Sequence, residues 1–150
     1  MAKKKQRNYK QGEYEVKNKD KFVGKKNPRF LSSFELQCFL YMDNNPNVIE
    51  WGSENIVVKY YDHLKEKYRR YMVDLYVKYK DKHGNINTEL VEIKPYNETL
   101  PPTKGKKRQD VFENQQMTYI TNQQKWKAAT EYAEERGWKF RVITEHDIFR

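Results

Sequence analysis

Two carboxylates and a lysine stand where they can do chemistry. Glu92-Ile93-Lys94 closes an apolar, strand-like run with Leu90 and Val91, and Asp74 lies inside a second such run, Tyr71 to Val77, a hairpin's length upstream. A divalent ion such as Mg2+ takes hard carboxylate oxygens and keeps positions open for water and phosphate. A nearby ammonium steers the attacking water or neutralises charge developing on phosphorus. The set points to metal-dependent hydrolysis of a phosphodiester. Side chains alternate across a strand, so Glu92 and Lys94 share one face. The same alternation is common on solvated edge strands, and spacing alone leaves that reading open. Asp74 is more telling, because a carboxylate between Val73 and Leu75 is costly to bury without a cation or hydrogen-bond partners.

Length and composition narrow the classes. With 150 residues the chain suits one domain with one hydrophobic core. Its one cysteine, Cys38, sits among Phe39, Leu40 and Tyr41 and reads as a buried thiol of a reducing compartment. A net charge of +9 and a pI near 9.4 attract polyanions, nucleic acid foremost. No stretch approaches the roughly 20 apolar residues of a membrane span, and no apolar segment follows the N-terminal lysines to make a secretory signal. His63, His83 and His146 lack zinc spacing, and no Gly-rich phosphate loop marks a nucleotide cofactor.

The positioning elements follow from local pattern. Residues 1–29 are almost all Lys, Arg, Asn, Gln and Glu, with scattered Tyr9, Tyr14, Val16, Phe22 and Val23, and read as an extended, flexible basic arm that either tethers DNA phosphates or only aids solubility. The folded body spans 30–150. Ser32 and Glu35 form a capping-box pattern ahead of a largely buried helix that ends near Asn45-Pro46. Short β-favouring runs at Val48–Trp51 and Ile56–Tyr60, a longer one from Arg70 to Tyr79, a turn at His83–Asn85 and a returning strand from Thr88 to Lys94 form a meander. Tyr96 to Arg108 reads as a mobile basic loop. Apolar spacings of three and four from Val111 to Ala133 predict one long or two joined helices. Gly137 ends them, Trp138–Ile143 forms a last strand, and Thr144 caps a final helical turn over Glu145 to Phe149. A helix between the strands ending at Lys94 and starting at Trp138 predicts a parallel, right-handed crossover. The expected fold is a single α/β domain, a mixed β-sheet flanked by helices.

Glu35 on the first helix, Asp74 in one strand and Glu92-x-Lys94 in the next resemble the PD-(D/E)xK restriction-endonuclease-like superfamily, in the form also seen in TnsA-type transposase endonucleases. The segments Phe30–Leu36, Asn45–Val48, Trp51–Glu54, Arg70–Leu75, Val91–Pro95 and Asn122–Ala129 are, in that order, similar to the head completion nucleases of T-even-like bacteriophages. The proline that names the superfamily motif is replaced by Val73, with Met72 before it, which removes no ligand.

The resemblance implies endonuclease and exonuclease activity on DNA, required after packaging so that filled heads can join tails. It implies action in the host cytoplasm during assembly, or on the virion, with phage head, portal or other head completion proteins as partners. The metal ligands implied are Asp74, Glu92, the Ile93 carbonyl and Glu35, holding Mg2+ with Mn2+ as a substitute, while Lys94 faces the scissile phosphate. Glu35 has a second reading as the acidic half of the capping box. Gln124 and Lys125 fall where relatives place polar residues on a helix facing the site, and an exposed helix face explains them equally. Lys104, Lys106, Lys107 and Arg108 are placed to grip the DNA backbone, or form a solvated loop. Two alternatives stay open: a non-catalytic DNA-binding or head-plug protein, and a TnsA-like or restriction-type endonuclease outside phage assembly.

Overall fold

Ser32 fixes the start of the first helix, its side chain accepting a hydrogen bond from the Glu35 amide at 3.1 Å. The computed structural model describes residues 11–148. In chain order these form β1 (Gly12–Glu13), β2 (Arg29–Phe30), α1 (Ser33–Asn44), β3 (Val48–Ser53), β4 (Val57–Asp62), β5 (Lys67–Met72), β6 (Leu75–Lys80), β7 (Ile86–Ile93), α2 (Gln109–Glu135), β8 (Lys139–Ile143) and α3 (Glu145–Ile148). No helix among them is long and apolar enough to cross a membrane.

The central sheet has the order β3-β6-β7-β8. Its first three strands pair antiparallel, and β8 joins β7 in parallel. A parallel neighbour needs a crossover connection, and α2 provides it. One face of the sheet packs Trp51, Leu75, Val77, Val91 and Ile143 against Cys38, Phe39 and Met42 of α1. On the other face Leu90 joins Ala129 and Ala133 of α2 with Val58, Tyr60 and Tyr71 of the β4–β5 ribbon. The two alanines are fully buried, so α2 approaches the sheet closely. Gly137, at φ +74°, turns the chain out of α2, and the amides of Gly137 and Trp138 donate to the carbonyls of Glu134 and Ala133. This double closure needs a left-handed residue, which glycine adopts without strain.

Two expectations are corrected. The strand read from Arg70 to Tyr79 is broken at Val73–Asp74. Its first half pairs with β4 in a separate two-stranded ribbon, and its second half joins the main sheet. The Val73 amide donates to Ile56 and the Glu54 amide to Asp74, so the backbone bonds at the break pass to other chain segments. The extended arm read over residues 1–29 is not extended from residue 11 onward. Tyr14 and Val16 are buried, and β1 pairs with β2. Tyr14 Oη donates to Asp43 at 2.5 Å, the amides of Lys17 and Asn18 donate to the same carboxylate, and Phe22 meets Trp51 edge to face. Burial pushes the Asp43 carboxyl up, yet these hydrogen bonds hold it below the usual carboxylate range. Sparse apolar residues concealed this docking because a buried polar hub, rather than an apolar stripe, anchors the segment. Residues 1–10, and Phe149 of the last expected turn, lie outside the described residues.

Candidate active site

Asp74 occupies the joint where the ribbon becomes the main sheet, and the Ile93 amide donates to its Oδ2 at 2.8 Å. Glu92, 8% exposed near the end of β7, receives on Oε2 a hydrogen bond from the Tyr71 hydroxyl of β5. Lys94 Nζ stands 4.0 Å from the other oxygen, Oε1. Each carboxylate thus has one oxygen fixed by a protein donor. Ile93 turns its side chain to the α1 side of the sheet, as alternation requires.

The electrostatics are those of two acids crowded in a poorly solvated pocket. Burial, then the neighbouring Asp74 charge, pushes Glu92 up to about 7, against the Tyr71 hydrogen bond and the charges of Lys94 and Lys125. Burial also holds Asp74 above the usual carboxylate range, opposed by the Ile93 amide and Lys94, with Glu54 adding to the rise. Lys125 lies over the rings of Tyr71 and Tyr60, at 5.7 and 6.0 Å from their centroids. Burial lowers its pKa while Glu92 pulls it back up. Desolvation and charge partners converging on one group of side chains are what a functional site would require.

The structure brings Asp74, Glu92, Lys94 and Lys125 together. Glu35, near the start of α1, comes within the charges of Asp74 and Glu54. Burial and then the Asp74 charge raise its pKa, while its amide serves the Ser32 cap. Among the described residues no group of three acidic, histidine or cysteine side chains forms a ready cation cage, so Glu35 does not complete a three-carboxylate cluster in this structure. Gln124 is also elsewhere. Its side-chain oxygen accepts from the His63 amide at 2.9 Å, tying α2 to the turn of the ribbon because it projects one residue away from Lys125.

The basic loop keeps part of its charge to itself. Lys104 Nζ bonds the Lys107 carbonyl, Lys107 Nζ bonds the Thr103 carbonyl and Gln115, and Arg108 pairs with Asp110. All three cations are exposed, as is Lys106. Lys107 also lines a groove of about 440 Å³ between this loop and α2. Sequence reasoning missed Tyr71, whose role arises only when β5 leaves the main sheet and returns over the end of β7. Glu54, which reads from the sequence as either an extra carboxylate or a turn residue, has a φ of 51° and raises the proton affinity of Asp74, which puts it beside the site. Cys38 is buried, and burial pushes its thiol up to about 12.

Comparison with known proteins adds two findings. Residues 45–145 match the family model described as the TnsA-like endonuclease N-terminal domain. The chain is also 40% identical over 145 residues to the head completion nuclease of Enterobacteria phage T4, covering 91% of this chain and 92% of that protein. The matched span holds Asp74, Glu92, Lys94 and Lys125, the side chains gathered in the pocket. The chain therefore belongs to the TnsA-like endonuclease family, in the company of the phage T4 head completion nuclease.

Proposed function

We propose that this chain is a divalent-metal-dependent DNA nuclease that hydrolyses phosphodiester bonds, both internally and at ends, during completion of a phage head. The observation that carries the chemistry is the pair of half-buried Asp74 and buried Glu92, crowded together, each with one oxygen fixed and a lysine alongside. The donors fit a hard cation: carboxylate oxygens with raised proton affinities repel one another once ionised, and no sulfur or imidazole competes among them. Asp74 and Glu92, with the Ile93 carbonyl, are the residues that would hold Mg2+, or Mn2+ in its place, and Glu35, within the charge of Asp74, would join them directly or through water. A bound divalent ion supplies Lewis acidity toward a phosphate oxygen and makes water a better nucleophile at neutral pH.

The chain's own residues perform the rest. Tyr71 orients Glu92 and favours its ionised form. Lys94, on the same strand face, positions water and offsets charge growing on the phosphate. Lys125, held over two tyrosine rings, adds a second cation that a phosphate group can recruit. Lys104, Lys106, Lys107 and Arg108 hold the backbone of DNA nearby through contacts that read no sequence. By likeness to the T4 head completion nuclease the biological occasion is head completion; head or portal proteins as partners, in the host cytoplasm, complete the proposal.

The test is cleavage of linear and closed-circular DNA by the purified full chain with Mg2+, with EDTA, and with Asp74→Ala. Metal-dependent nicking or degradation lost in Asp74→Ala is expected. If wild type binds DNA yet cuts neither form under Mg2+ or Mn2+, the enzyme reading fails and a head-plug role replaces it.

A further inference from the structure

The β4–β5 ribbon has two unlike faces. Its inner face buries Val58, Tyr60 and Tyr71 in the core. Outward, the cross-strand pairs Val57 with Met72, Lys59 with Arg70, and Tyr61 with Tyr68 stand in a row. All six residues are exposed, Tyr68 at 65% and Met72 at 50%. The two tyrosine rings meet edge to face at 5.1 Å, and Lys59 Nζ lies 4.4 Å above the ring of Tyr68. No acidic side chain interrupts the row: Asp62 faces inward, where Arg69 pairs with it at 3.3 Å.

From this face we infer a binding surface for unpaired DNA that feeds the active site. The inference rests on the nuclease reading and names the form of its substrate. Charge complementarity identifies a polyanion: two cations at the centre of the face meet no counter-charge on it. The tyrosines select the unpaired form. Bases in a duplex hide their faces in the stack, whereas an unpaired base offers a face to an aromatic ring, which is worth roughly 5- to 150-fold in affinity per base. A row of cations, aromatics and apolar groups is the surface that a single strand uses, with phosphates on Lys59 and Arg70 and bases on Tyr61 and Tyr68.

The ribbon is also wired to the catalytic pair. Met72 is two residues from Asp74, and Tyr71, its neighbour, reaches Glu92 from the inner face. At the rise of an extended strand, Tyr68 lies roughly 20 Å from Asp74 along the chain. Strand engaged on the outer face is therefore held a few nucleotides from the site. A protein partner would equally cover exposed tyrosines, but the unopposed central cations favour nucleic acid.

The experiment measures binding by fluorescence anisotropy in EDTA, using full-length Asp74→Asn protein with labelled oligothymidylate and with a blunt duplex. Adding Tyr61→Ala and Tyr68→Ala is expected to weaken oligothymidylate binding by about tenfold or more and to leave the blunt duplex within about twofold. Tyr61→Phe with Tyr68→Phe retains the rings and is expected to bind like the parent. Lys59→Ala with Arg70→Ala lowers the salt dependence of oligothymidylate binding by a slope of roughly one to two. Equal weakening on both DNAs, or no effect of losing both rings in a variant that melts like its parent, overturns the inference and assigns the face to a protein partner. The two readings fail separately. If wild type with Mg2+ does not cut while the tyrosines still govern oligothymidylate binding, catalysis falls and the surface stands; cutting with silent tyrosines is the reverse.

Discussion

Replacing Tyr71 by phenylalanine removes the one hydroxyl that donates to Glu92 Oε2 and leaves the buried ring in place. A hydrogen bond to a charged group is worth about 1.5–3 kcal/mol, and one pKa unit corresponds to about 1.4 kcal/mol. Glu92, already pushed up to about 7 by burial and Asp74, should rise by a further one to two units, roughly. At pH 7 its ionised fraction then falls from about a half to between about a tenth and a hundredth, a loss of roughly 5- to 50-fold. A cation bound through this carboxylate must displace the proton. Cleavage at subsaturating Mg2+ should therefore drop by that factor at pH 7 and recover as the pH is raised by one to two units. The assay is a pH series of initial rates at fixed low Mg2+ for wild type and Tyr71→Phe, with thermal melting as a fold control. A profile scaled down evenly at every pH, or an unchanged one, refutes the coupling of Tyr71 to Glu92 ionisation.

Other outcomes can be checked alongside it. Asp74→Asn should cut DNA at least about a hundredfold more slowly, yet metal-free protein at pH 8 should melt at the same temperature or higher, because the change removes repulsion between two crowded acids. Metal-free chain should lose stability as pH rises from about 4.5 to 7. Glu92 binds its proton more tightly folded than unfolded across that window, and its own contribution to the slope is at most about 1.4 kcal/mol per pH unit, measurable by urea unfolding. Saturating Mg2+ should flatten that decline. Lys94→Ala should lower the cleavage rate about a hundredfold while DNA affinity changes little. Asp43→Ala strands three donors from Tyr14, Lys17 and Asn18, so it should cost about 3 kcal/mol and speed amide exchange over residues 11–30.

Sequence alone determined the elements whose signals are local. The Ser32 cap, the three-and-four spacing of α2, the glycine after it and the alternation at Glu92-Ile93-Lys94 each act over a few residues, so the first helix, the long helix, the parallel last strand and the pairing of Asp74 with Glu92 and Lys94 could be read directly. Tertiary structure decided what depends on distant partners. The strand from Arg70 to Tyr79 looks continuous because β propensity does not register which sheet each half joins, and only the break at Asp74 brings Tyr71 over Glu92. Residues 11–29 look like a solvated arm because their anchor is one buried carboxylate on α1, Asp43, whose hydrogen bonds leave no periodic trace. Gln124 carries suitable chemistry, but helical rotation carries it to the ribbon turn, while the packing of α1 brings Glu35 within the charge of Asp74. Residue type and spacing specify what chemistry is available; the path of the backbone in space sets which groups share a pocket, and with it how burial and like charge raise their pKa values.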